Sequence, residues 1–289
     1  MEFLTTYRLP LGDGIEWLVL FLSRNLRGAF DAFSVAVRAL DEGILALLTF
    51  PPAPVLIALL VLLAWRLAGR GLALFALLTL PLVANLGLWA HTLETLALTL
   101  TASLLCLVIG IPLGILQARS QLLDALMRPI LDFMQTMPPF VYLIPAVMFF
   151  GLGAVPGITA TVIFAMPLPI RLTNLGIRQV PVELTEAGKA FGCSARQLLL
   201  KVHLPMAMPS IMAGVNQSIM MCLSMVIIAA MIGAGGLGGE VLRGIQRMFI
   251  GRGFEGGLAV VVIAILLDRL TQSLARLRWG RRLALPVQK

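Results

Sequence analysis

Residues 133–170 read FMQTMPPFVYLIPAVMFFGLGAVPGITATVIFAMPLPI, and none of them is charged. Asp132 stands at one border of the run and Arg171 at the other. A helix that crosses a bilayer needs ~20 mainly apolar residues. The run is too long for one crossing and long enough for two. Gly151, Gly153, Pro156 and Gly157 lie near its middle and break it there. The stretch therefore predicts two membrane helices joined by a turn. Its first half carries Pro138, Pro139 and Pro145, which free backbone carbonyls that lipid cannot satisfy. Either a broken helix beside a pathway or a kink inside a bundle meets that need.

The whole chain has this character. Of its 289 residues, 59% are hydrophobic and 12% charged, and the mean hydropathy is +0.97. Soluble domains carry about 25% charged residues. This composition excludes a soluble enzyme, a nucleic-acid module and a disordered linker, and leaves an all-α polytopic membrane protein. Further apolar runs lie at Pro52–Trp65, Gly71–Ala90, Leu93–Gln117, Met206–Ile232 and Gly256–Leu274. With the two in the opening stretch they predict about seven transmembrane helices. Glu2 is acidic where a secretory signal is basic, so insertion is expected to depend on these internal spans.

The net charge of +8 does not mark nucleic acid, because the basic residues punctuate apolar runs. The positive-inside rule accounts for them. Arg66 and Arg70, Arg119 and Arg128, the set from Arg171 to Lys201, and the tail from Arg276 to Lys289 all fall on one side of a seven-span chain. That side is read as the cytoplasm, with the N-terminus outside and the C-terminus cytoplasmic. Arg243, Arg247 and Arg252 fall on the other side and break the pattern.

Ahead of the first run, Leu26, Phe30, Phe33, Val37, Leu40, Ile44 and Leu47 form one helical stripe. Arg24, Arg27, Asp31, Ser34, Arg38 and Asp41 lie opposite, which suits a helix lying in the membrane surface. Gly110 and Gly114 form a small-xxx-small pair that lets two helices approach closely. The expected organisation is an N-terminal region at 1–51 with the amphipathic helix, two helices at 52–91, a core at 92–275, and a basic tail at 276–289.

Catalytic motifs are thin. The sequence has no GxxxxGKS or GxxxxGKT, so it carries no phosphate-binding loop and is not expected to hydrolyse ATP. Gly233, Gly235 and Gly238 match GxGxxG, but an apolar helix precedes them rather than a strand, so a turn at a helix end is the better reading. His91 and His203 have no second ligand near them in sequence, and no metal or cofactor is expected. Cys106, Cys193 and Cys222 lack metal spacing and read as packing residues. Asn216-Gln217-Ser218 matches a glycosylation sequon inside a span and reads as chance. No ionisable residue is expected at mid-span, which disfavours proton-coupled transport.

The segment at 180–205 is the most informative. Pro181 opens a helix, Glu183 and Glu186 sit in its first turns, and Gly192 ends it. Ser194 caps a second short helix, and Pro205 starts the next span. Two short helices would thus present a knob suited to a partner's groove. Glu186, Ala187, Gly188, Gly192, Leu204 and Pro205 resemble, in order and spacing, the EAA loop of ABC importer permeases. Gly188 stands where the family usually has alanine. Residues 131–138, 141–145, 173–178, 214–217, 233–238 and 267–269 are similar to the glycine betaine, proline and choline branch.

The resemblance implies a type I importer fold in a bacterial inner membrane. It implies a homodimer of permeases, two copies of a cytoplasmic ATPase that binds ATP and Mg, and an extracytoplasmic binding protein. Glu186 is expected to make the polar contact to the ATPase and Phe191 the apolar one. Gln135, Thr136, Tyr142, Asn216, Gln217 and Ser224 are the neutral polar residues expected along a pathway. Phe133, Phe140, Phe149 and Phe150 supply aromatic faces that a quaternary ammonium solute would favour. The alternative is a stand-alone ion-coupled secondary transporter, for which the loop at 180–205 has no use.

Overall fold

The two charges that border the opening stretch meet in space, with Arg171 Nη2 lying 2.5 Å from Asp132 Oδ1. The chain leaves one, runs out, turns and returns to the other. The computed structural model describes residues 11–279, and all regular structure in them is helical. The helices are α1 (Leu11–Asn25), α2 (Arg27–Thr49), α3 (Ala53–Ala68), α4 (Arg70–Asn85) and α5 (Trp89–Arg119). There follow α6 (Gln121–Thr136), α7 (Pro139–Phe150), α8 (Ala154–Ala165), α9 (Pro167–Arg178), α10 (Val182–Ala190) and α11 (Ala195–Leu198). The last are α12 (Leu204–Ala229), α13 (Gly236–Gln246) and α14 (Ile250–Trp279). Residues 280–289 of the expected basic tail lie outside the described residues.

Proline and glycine set many of the boundaries. Pro52, Pro138 and Pro181 precede α3, α7 and α10, where a missing N–H costs nothing. The break expected in the opening stretch falls at Gly151–Gly153, where Gly153 N–H donates to the carbonyl of Ile232 at 3.0 Å.

At the centre α5, α9 and α12 pack through small residues. A Cβ on Gly110 would lie 2.8 Å from Pro169 Cγ, and one on Gly114 would lie 2.6 Å from the Ile170 carbonyl oxygen. The close approach expected of this glycine pair is thus made to α9. Gly176 of α9 faces Ala207 and Ser210 of α12 in the same way. Around this centre one apolar cluster joins α3, α4 and α14 to the start of α5 through Leu56, Leu80, Leu93 and Ile263. A second gathers Val37, Cys106, Ile158, Cys222 and Val226. Cys106 and Cys222 are fully buried packing residues.

Two expectations gain detail. Four helical stretches are long and apolar enough to cross a membrane alone: Trp89–Arg119, Ala154–Arg178, Ala195–Ile232 and Ile250–Ala275. Two bent pairs, α2 with α3 at 95° and α6 with α7 at 98°, raise the number to as many as six, beside the seven expected. The helix left over is α4, apolar but only 16 residues long, about 24 Å against a hydrocarbon core of about 30 Å. The amphipathic helix expected near the N-terminus is α2; it packs along α5, with Val37 2% exposed and Asp41 buried. Thr101 donates to Asp41 Oδ1 at 3.1 Å, so an ionisable residue does reach the middle of α5.

Candidate functional site

α10 begins after Pro181, whose ring fixes φ, here −53°, and carries Glu183 in its first turn against the positive end of the helix. Phe191 N–H donates to the Ala187 carbonyl at 3.0 Å, and Cys193 N–H to that of Gly188 at 3.0 Å. Gly192, at φ 76°, makes the left-handed turn between these bonds. Ser194 then opens α11 with a capping box. Its hydroxyl accepts from Gln197 N–H at 3.3 Å, and Gln197 Oε1 accepts from Ser194 N–H at 2.8 Å. A wide π turn over Leu199–His203 leads straight into α12, where Leu204 N–H reaches back to the Leu199 carbonyl.

The two short helices brace each other. A Cβ on Gly188 would come within 2.7 Å of Leu198 Cδ1, so glycine at this position lets α10 lie down on α11. Leu198 is the buried residue of α11. Thr185 Oγ1 and His203 Nε2 are 3.2 Å apart and tie α10 to the base of α12. Arg119, at the end of α5, donates to the Ala195 carbonyl at 3.3 Å. Leu204 packs with Ile177 and Ala207 beneath the loop. On this braced base, Phe191 is 90% exposed and Val182 65% exposed, with Glu186 and Ala187 exposed beside them. A folded, capped loop that holds an aromatic ring in solvent has the character of a docking surface.

The pathway residues expected from sequence do not form one lining. Half-buried Gln135 and exposed Thr136 end α6 at its 98° bend into α7. Tyr142 is buried, and its hydroxyl donates across the bend to the Met134 carbonyl at 2.5 Å. Gln217 and Ser224 share an exposed face of α12, two turns apart, and Ser224 donates to the Met220 carbonyl. Asn216 turns the other way. Its Nδ2 donates to Asp268 Oδ1 at 2.9 Å, and its Oδ1 accepts from Thr271, tying α12 to α14. Phe149 stacks on Phe30 of α2 and Phe150 meets the same ring edge to face, so neither stands free. Tyr142→Phe removes the bond that spans the bend, with an expected cost of about 1 kcal/mol. Thermal unfolding of the purified variant measures it; an unchanged midpoint would show that the bend holds without it.

Sequence reasoning missed two charge clusters. His91 lies in the first turns of α5, with Nδ1 3.2 Å from Glu94 and Nε2 3.0 Å from Glu240 of α13. It therefore has partners that its sequence neighbourhood concealed. Glu94 and Thr95 also cap α13, accepting from Gly236 N–H at 2.9 Å and Leu237 N–H at 2.8 Å. The second cluster surrounds Asp124. Arg128 lies 2.6 Å and Arg178 3.2 Å from its Oδ2. Gln117 and Asn174 each donate to its Oδ1 at 3.0 Å. Its partners come from α5, α6 and α9, up to 54 positions away in sequence, and no local pattern announces them.

Known proteins are similar to this chain over most of its length. The glycine betaine/proline betaine transport system permease protein ProW of Escherichia coli K12 is 51% identical over 264 residues, covering 91% of this chain and 73% of that one. The glycine betaine transport system permease protein OpuAB of Bacillus subtilis 168 is 48% identical over 267 residues, covering 92% of this chain and 95% of that one. An inward-facing structure of the MetNI methionine ABC transporter matches with TM-score 0.59 and 23% identity, over 66% of this chain and 95% of that chain, a likeness of fold. The profile of the family described as binding-protein-dependent transport system inner membrane component matches residues 110–279. This chain belongs to that family: it is an all-helical, multi-pass permease subunit of an ABC importer, and the subunit itself is not the ATPase.

Proposed function

We propose that the chain forms the translocation pathway of an ATP-driven importer for glycine betaine and related quaternary ammonium solutes, choline among them. The observation that supports this most is the braced knob at 180–205 with Phe191 90% exposed at its tip. Its surroundings suit a cytoplasmic ATPase subunit that binds ATP and Mg and supplies the force. One such loop per chain suits two permease copies and two ATPase copies. The identity to ProW and OpuAB supports the solute class. Selectivity then rests largely with an extracytoplasmic binding protein. The loop end of the bundle is cytoplasmic, which puts the C-terminal end of α14 on that side.

The experiment is reconstitution in liposomes with the ATPase subunit and the binding protein encoded beside it. Glycine betaine is expected to stimulate ATP hydrolysis and to accumulate inside. Glu186→Ala is expected to lower uptake while the chain still inserts and folds. Uptake by the chain alone down an ion gradient, with no response to the ATPase subunit, would favour the secondary transporter instead.

A further inference from the structure

We propose that α6 is strapped to α9 by two charge rungs, and that this strap carries displacement of the coupling loop to the α6–α7 bend. Asp132 and Arg171 form one rung, and Asp124 and Arg178 the other. They are positioning residues for transport. The inference rests on the reading of 180–205 as a coupling loop.

The spacing makes a ladder. Asp124 and Asp132 lie two turns apart on α6, and Arg178 and Arg171 lie two turns apart on α9 in the reverse order. The helices therefore run antiparallel with matched rungs. The inner rung is built into the protein: Asp124 is 6% exposed and is held by Arg128, Arg178, Gln117 and Asn174. Arg178 also donates to the Gln117 carbonyl at 3.1 Å, which brings the end of α5 into the same knot. The outer rung is solvated, with the Asp132 side chain 66% exposed and that of Arg171 37% exposed.

Little else holds α6. Asp124 and Leu131 are its buried residues. An open groove of about 350 Å³ lies beside Leu131, Leu172 and Leu175, and charged side chains from both rungs line it. The contrast with α9 is sharp, because glycine contacts fix α9 to α5 and α12. α9 ends at Arg178, just before the loop starts at Val180. A push on the loop therefore moves α9 with its block; the near end of α6 follows through its one-residue link at Ser120 to α5, and the far half, toward Asp132, follows through the rungs. At its other end α6 turns 98° into α7, which Tyr142 ties back to Met134. The rungs thus join the site of force to the bend next to Gln135 and Thr136.

The test uses the whole transporter in liposomes, with its ATPase subunit and binding protein, and reads solute moved per ATP hydrolysed. Asp132→Arg and Arg171→Asp are expected to keep ATP hydrolysis and to lower that ratio by about fivefold or more, the scale of a typical coupling free energy. The double exchange Asp132→Arg with Arg171→Asp restores the rung with reversed sign and is expected to recover the ratio. An unchanged ratio in both single variants overturns the proposal. So does a parallel fall in hydrolysis and transport that the double exchange does not recover, because that marks a structural role alone. Failure of the coupling reading shows separately, as a wild-type chain that does not engage the ATPase subunit.

Discussion

Replacing Gly114 with alanine is expected to lower the thermal stability of the purified chain more than any other single-methyl addition in α5. The new Cβ would stand 2.6 Å from the Ile170 carbonyl oxygen and 2.7 Å from Thr173 Cβ. A carbonyl in the first turns of α9 cannot swing aside as a side-chain end can. The two helices must separate, and in lipid they are held by close van der Waals contact rather than by expulsion of water. Overpacking of this kind costs about 1–3 kcal/mol, and backbone against backbone belongs at the upper end. Gly257 of α14 supplies the control, because a Cβ there meets nothing within 4 Å. Alanine at Gly257 is expected to be neutral or stabilising by about 0.5–1 kcal/mol through helix propensity. A Gly114→Ala chain that melts with the wild type would refute the close approach.

The second large effect concerns association. Phe191→Ala removes a ring that is 90% exposed, so folding stability is expected to stay within about 0.5 kcal/mol. Binding to the ATPase subunit is expected to weaken by about 2 kcal/mol or more, the cost of truncating an aromatic anchor at an interface. That corresponds to roughly a thirtyfold rise in Kd. Leu198→Ala is the complementary variant. It empties the contact under Gly188 and is expected to destabilise the knob by about 2 kcal/mol or more, so unfolding and binding should both change. If Phe191→Ala binds as tightly as the wild type, the docking surface lies elsewhere on the loop.

The residues that were legible act on their sequence neighbours. The break at Gly151–Gly153, the stop at Gly192 and the cap at Ser194 are local events, and sequence names them. Gly110 and Gly114 announced a close neighbour without saying that it was α9. What stayed hidden depends on contacts between distant residues. The stripe on α2 marks an apolar face, but periodicity does not say whether water, lipid or another helix meets the opposite face. Asp41 lies on that opposite face, and its partner, Thr101, is 60 positions on. His91 looked solitary for the same reason, since Glu240 arrives from α13. The count of spans turns on one helix: α4 reads as apolar in sequence like the others, and only its 16-residue length sets it apart.

The wide turn at Leu199–His203 holds one residue more than an α-turn over the same height. That residue is slack. Should the hydrogen bonds there shift to the tighter pattern, everything before the turn would rotate by about 100° and advance by about 1.5 Å relative to α12, the increment of one helical residue. α12 would keep its own bonds and its own packing. The knob is thus joined to α12 by a turn with one residue of slack, and a shift of the hydrogen bonds there, together with release of the Thr185–His203 and Arg119–Ala195 ties, would reorient the knob while the bonds within α12 stay as they are.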